Sequence, residues 1–103
     1  MYNAQYFIDK FTVIPEQNWG TNSYMHYNPY NTLTKRCAMG HCGVDTADQD
    51  WTEEAIALNE LFKKHTGVTV IRINDDVNVP GFNSLSPKER VMTALEYIKK
   101  LGG

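Results

Sequence analysis

A surplus of positive charge, a long apolar run and a glycine-rich phosphate loop are all missing from these 103 residues. Ten Lys and Arg against twelve Asp and Glu leave a formal net charge of -2. That balance gives no general grip on a phosphate backbone, so nucleic acid is not an expected partner. No apolar stretch approaches the roughly 20 residues that a membrane span needs. The opening residues, MYNAQYFIDKF, also lack the basic-then-apolar order of a secretion signal. The expectation is a cytoplasmic protein with no membrane partner. Neither GxGxxG nor GxxxxGK occurs, which excludes classical nucleotide-driven catalysis. Cysteine is scarce as well. The two present, Cys37 and Cys42, would close a loop too short to stabilise much by chain entropy, and free thiols in a reducing compartment fit better.

What is present is ordinary globular material: 42% hydrophobic and 21% charged residues. A chain of this length buries roughly two-thirds of its unfolded surface around one core, so residues 1–103 are expected to form a single domain. Ala4, Phe7, Ile8 and Phe11 fall on one helical face, with Asn3 as N-cap and Pro15 beyond the end. The chain then descends into a loop carrying Trp19 and Gly20. SYMHY (23–27) and TLTKR (32–36) have the aromatic and β-branched content of short strands, and Asn28-Pro29 between them favours a turn, so a hairpin is predicted. RCAMGHCG (36–43) has room only for a short helix, with Cys37, Ala38 and His41 on one face and Gly43 as its C-cap.

Asp50 as N-cap with Glu53 three residues on predicts a helix to about His65, burying Ala55, Ile56, Leu58, Leu61 and Phe62 and closed by Gly67. VTVIRI (68–73) is rich in β-branched residues and apolar on both faces, which predicts a central strand. NDDVNVPGFNSL (74–85) reads as a loop long enough to be functional. Ser86-Pro87-Lys88-Glu89 is a capping box with proline at N1, and Val91, Ala94, Leu95, Ile98 and Leu101 then form a core-facing stripe. The predicted fold is α+β: three main helices and one short helix packed on a small sheet made of the hairpin and one central strand.

Four pieces taken together, IPEQNW, RCAMGHCG, INDD and SPKERVMTALEYIK, resemble a family of short, uncharacterised bacterial and phage proteins of about this length. The shared positions are Trp19, Cys37, Ala38, Gly40, His41, Asn74 and Asp75, and the resemblance spans nearly the whole chain. It implies fold and size, and a bacterial or phage source, more than any reaction. The Tyr- and Asn-rich stretch between Trp19 and Cys37 is longer than the pattern. That insertion is where this chain's own specificity would lie.

Three groups of residues have chemistry to weigh. Cys37 at a helix start, after Lys35 and Arg36, has the setting of a low-pKa thiol. With His41 or His65 as base and Asn74 or Asp75 orienting it, a Cys-His-Asn/Asp hydrolase is one reading. The plainer reading is that Cys37, Ala38, Gly40 and Gly43 are small because two backbones approach there. Cys37, His41 and Cys42, with His26 or His65, are soft metal ligands, but positions i and i+5 diverge on a helix and no metal is expected. Trp19, Tyr24, Tyr27 and Tyr30, with Arg72, Asn74 and Asp75, offer stacking and hydrogen-bonding groups for a flat ligand or a protein surface. Aromatics that simply cover an edge hairpin are the plainer alternative.

The functional expectation is a non-enzymatic binding module, with the phage origin being what the resemblance implies. It would capture a small nucleotide-like molecule or a host protein through the aromatic and Asn-rich surface, with no cofactor. A flat tyrosine-rich surface would also suit a homodimer. The small cysteine hydrolase is the rival.

Overall fold

The computed structural model describes residues 2–21, 25–27, 29–30, 33–46, 49–75 and 84–103. In order they form α1 (Ala4–Thr12), a 3-10 turn (Glu16–Asn18), β1 (Met25–Tyr27), β2 (Leu33–Arg36), α2 (Ala38–His41), α3 (Glu53–Thr66), α4 (Val70–Asp75) and α5 (Pro87–Lys100). None of the described helices is long and apolar enough to cross a membrane.

Helix α5 is the hub, with α1, α3 and α4 packed against it. Its start is the predicted capping box: Ser86 Oγ accepts from the Glu89 amide and the Glu89 carboxylate accepts from the Ser86 amide at 3.2 Å. Val91, Ala94, Leu95 and Ile98 then face inward onto Phe7 and Phe11 of α1 and Leu58 and Phe62 of α3 in one continuous core. Each of the larger side chains contributes about 1.5–3 kcal/mol on burial. Helix α1 begins as expected, Asn3 Oδ1 accepting from the Tyr6 amide at 2.9 Å. Two residues expected in the core lie outside it: Ile56 and Leu101 are exposed.

Helix α3 starts two residues later than its acidic run suggests. Thr52, not Asp50, is the N-cap, because its Oγ1 both accepts from the Ala55 amide at 3.1 Å and donates to the Cys42 carbonyl at 2.6 Å. The cap thus ties α3 to the turn after α2, and Glu53 and Glu54 fall in the first turn where the helix dipole favours them. Gly67 closes the helix at φ 73°, a left-handed value that glycine adopts without strain.

The predicted central strand is a helix. Val70–Asp75 is α4, and its ends are capped by neighbours. Asn59 of α3 accepts from the Val70 amide at 3.3 Å and Thr69 Oγ1 from the Arg72 amide at 3.3 Å. At the far end, Arg90 of α5 donates to the Ile73 and Asn74 carbonyls. Helical periodicity also turns Val70, Ile73 and Asn74 inward together and leaves Arg72 exposed. Tertiary caps outweigh the β preference of Val, Ile and Thr, which is only a weak prior.

The described sheet is therefore the hairpin alone: antiparallel β1 and β2, with Met25 opposite Arg36, His26 opposite Lys35 and an irregularity before Tyr27 meets Leu33. Its root is held by a parallel bridge between Trp19 and Arg36, with the Gly20 amide donating to the Arg36 carbonyl at 2.9 Å. The molecule is mostly helical, with a small strand pair attached to one side.

Candidate functional site

Asn74 is the point where three segments meet. It is 1% exposed. Its Oδ1 accepts from Trp19 Nε1 at 2.6 Å and from the Ala38 amide at 3.2 Å, while Nδ2 donates to the Gly20 carbonyl at 3.0 Å and to Asp75 Oδ1 at 2.7 Å. One side chain from the end of α4 thus fixes the indole, the hairpin root and the start of α2. Of the expected recognition residues, Trp19 and Asn74 are consumed inside the fold. Phe11 packs edge-on to the Trp19 ring at 5.1 Å and His41 lies over it at 4.9 Å, so the indole is buried and has no open face for a ligand.

Cys37 is the N-cap of α2, as its place in the sequence suggests, but the thiol is not primed. Burial pushes it up, against the opposing pull of the Gly40 and Met39 amides. A four-residue helix has little dipole to offer. Arg36, expected to favour the thiolate, is turned instead to Asp45 at 3.5 Å and the Gly40 carbonyl at 3.4 Å. The His41 ring does not serve Cys37 either. Its Nε2 lies 3.1 Å from the Asn18 carbonyl, which can only accept, so that nitrogen carries the proton. Burial holds the imidazole below its ordinary value, with Arg36 and Lys10 pushing the same way. His65 is at the other end of α3, its ring against Gly103. The Cys-His-Asn/Asp constellation is thus not assembled by any described hydrogen bond.

Both thiols are therefore expected to resist alkylation at pH 6 to 8 and to react only as the protein unfolds. The check is the rate of iodoacetamide labelling by mass spectrometry with and without denaturant; labelling of native Cys37 at the rate of a free thiol would restore the hydrolase reading.

Cys42 belongs to a second cluster, invisible in the sequence because its members are far apart. Glu54 of α3 accepts from the Tyr6 hydroxyl and from Lys10 Nζ at 3.0 Å, both on α1. Burial pushes the Cys42 thiol up, and the neighbouring Glu54 carboxylate adds to it. Although partial burial alone would raise the Glu54 carboxyl, hydrogen bonds from Tyr6 and Lys10 outweigh it and the group sits below its usual range. Its contribution to stability is present above the ordinary carboxylate range and is lost as pH falls through the lowered folded value. The Tyr6 phenol, bonded to that carboxylate, is pushed up to about 12. Between pH 10 and about 12 the unfolded phenol has released a proton that the folded one keeps, so stability falls as pH rises through this window. Absorbance titration should show one tyrosine ionising later than the others, and Glu54→Gln should bring it back toward its ordinary value.

The remaining aromatics are elsewhere. Tyr27 on β1 and Tyr30 in the turn are 54% and 88% exposed. Tyr24 lies outside the described residues, as do most of residues 74–85. Among the described residues β1 pairs only with β2, and no other element packs extensively on it. At the hairpin's base a cleft of about 480 Å³ opens between Glu16 and Gln17, Trp19 to Thr21, Lys35, and the first turn of α5. Two of its charged groups are already engaged, Glu16 with the Ser86 hydroxyl and Lys88 Nζ with the Ile14 carbonyl at 2.6 Å. Lys35 is exposed. Among the described residues no three His, Cys, Asp or Glu side chains converge as metal ligands would.

Sequence reasoning missed Arg90, which is 1% exposed and gives all its described hydrogen bonds to carbonyls: Ile73 at 2.8 Å, Leu85 at 2.8 Å and Asn74 at 2.6 Å. The signal was there to find. Arg90 lies one turn before Ala94 and two before Ile98, on the stripe that faces the core. Comparison with protein families, with curated proteins and with solved structures found no match to this chain.

Proposed function

We propose that the chain is a non-enzymatic binding module that engages a protein partner through the β1–β2 hairpin. The supporting observation is the division of its aromatic residues: Trp19 is locked inside by Asn74, whereas Tyr27 and Tyr30 stand largely in solvent on a hairpin whose β1 pairs, among the described residues, only with β2. Tyrosine offers a large contact area with little entropy to lose, and an open strand edge offers unpaired backbone groups, two features that protein recognition uses. A small nucleotide-like ligand is less well served, because the aromatic residue lining the cleft, Trp19, is buried with its ring packed by Phe11 and His41, and the sequence has no glycine-rich phosphate loop.

A bacterial host, the source that the resemblance implies, is where the partner is sought. Crosslinking in host cells identifies candidates, each of which is then purified and titrated against the protein and against a Tyr27→Ser/Tyr30→Ser variant. The variant should melt within a few degrees of the parent, since neither side chain is in the core, and should bind at least about tenfold more weakly. Equal binding by parent and variant would sink the hairpin reading. Amide shifts at Gln17, Thr21 and Lys35 on adding AMP or ATP would move the site to the cleft.

A further inference from the structure

Four lysines gather where α3 and α5 end. Lys63 and Lys64 lie in the last turn of α3, and Lys99 and Lys100 in that of α5. The two ends are side by side: Gly103, just beyond α5, backs so closely onto α3 that a Cβ built on it would fall 2.7 Å from His65 Nε2. All four lysines are exposed, and none forms an ion pair or hydrogen bond among the described residues. Residues 61–69 and 97–103 contain no acidic side chain, and the nearest on each helix, Glu60 and Glu96, lie one turn back, leaving an excess of two positive charges at this end. The helix dipoles account for lysines at these positions. They do not account for Tyr97 and Leu101, which bracket Lys100 on the outer face of α5 and are 53% and 49% exposed.

We propose that this end of the molecule docks on an anionic lipid surface, the lysines meeting the headgroups and Tyr97 and Leu101 entering the interface. Basic side chains interleaved with an aromatic and an aliphatic one are what a charged, half-apolar boundary rewards. A nucleic acid fits less well, for two reasons. Leu101 gains nothing from a phosphate backbone. Helix α3 also begins with Glu53 and Glu54, about 15 Å along the axis from Lys63 and Lys64, which is well beyond a Debye length of about 8 Å at physiological salt. A plane touched end-on meets the four lysines first, with only Glu60 and Glu96 one turn behind them, whereas a polyanion lying along the molecule meets Glu53 and Glu54 as well. The expectation of no membrane partner rested on the missing apolar span and secretion signal, and neither speaks to one end of the surface.

The test is flotation with vesicles of phosphatidylcholine alone or with about 30 mol% phosphatidylserine, in about 0.1 M salt. The protein should float with the anionic vesicles and not the neutral ones, and should be released at about 0.5 M salt. Lys63→Gln, Lys64→Gln, Lys99→Gln and Lys100→Gln together should weaken partitioning by about tenfold or more. Tyr97→Ser with Leu101→Ser should weaken it while leaving the salt dependence. If the quadruple variant does not melt cooperatively, Lys64→Gln with Lys100→Gln, one change per helix, is read instead, for a loss of about threefold or more. No flotation with anionic vesicles, or equal flotation of the lysine variants, overturns the proposal. So does tighter binding to a single-stranded oligonucleotide at equal phosphate concentration.

Discussion

Arg90→Met is expected to lower the unfolding free energy by about 3 kcal/mol, seen in urea titration as a lower midpoint with an unchanged slope. Methionine keeps most of the buried stem, so the loss isolates the guanidinium. Three carbonyls lose their donor, those of Ile73 and Asn74 in a buried place and that of Leu85 in a part-buried one. An orphaned buried acceptor costs about 1–3 kcal/mol. The sum is reduced because a buried cation, with no carboxylate partner among the described residues, no longer needs to be desolvated. On a stability of about 5–15 kcal/mol the remainder is large. Arg90→Lys should recover only part of it, since one ammonium cannot reproduce the planar fork that reaches two successive carbonyls of α4 and Leu85 at once. A change below about 1 kcal/mol would mean that α4 relaxes to hydrate these carbonyls, and that the capping account is wrong.

Asn74→Ala should cost a similar amount, about 3 kcal/mol or more, by a different route. It strands the Trp19 indole N–H, the Ala38 amide and the Gly20 carbonyl together. Because Gly20 also bonds the Arg36 carbonyl, the hairpin root should loosen as well as the core. Hydrogen exchange at Gly20 and Ala38 should therefore accelerate more than exchange in the middle of α5, and the emission of Trp19 should shift to the red. Asn74→Asp keeps the acceptor but loses the donor to Gly20 and places a buried charge beside Asp75. It should be destabilising at neutral pH and partly restored in mild acid. Arg90 Nη2 bonds the Asn74 carbonyl, so the two losses are coupled and the double variant should not show their simple sum. Unchanged exchange at Gly20 in Asn74→Ala would show that the hairpin is anchored by something else.

Where local chemistry decided the structure, the sequence was legible. Asn3, Ser86 with Glu89, and Gly67 cap helices in the structure as their spacing predicts, because each satisfies backbone groups only a few residues away. Residues 68–73 were misread for the opposite reason. Val70 and Ile73 prefer strands in isolation, and what makes them helical comes from Asn59 and Arg90, distant in sequence. The Asp50 start of α3 failed similarly, since the rival cap Thr52 is favoured by a bond to the Cys42 carbonyl that no local pattern announces. Among the site residues, Cys37, Ala38 and Gly40 are buried, whereas Gly43, read with them as small for close packing, is exposed and stands at φ 93°. The role of Asn74 was not legible, because an Asn after a predicted strand reads as a turn former, whereas at the inner end of a helix it becomes a four-bond junction.

That α4 takes the partners of its last carbonyls from Arg90 has a consequence for biosynthesis. As the chain is made, VTVIRI emerges before Arg90 exists to receive its last carbonyls, and until then the stretch keeps its preference for extended pairing. A nascent or truncated chain that stops short of Arg90 exposes a β-prone window with a single charge, the kind of segment that seeds aggregates. The last helix thus acts as a late safeguard, converting a hazardous segment into a buried one only when synthesis has passed it.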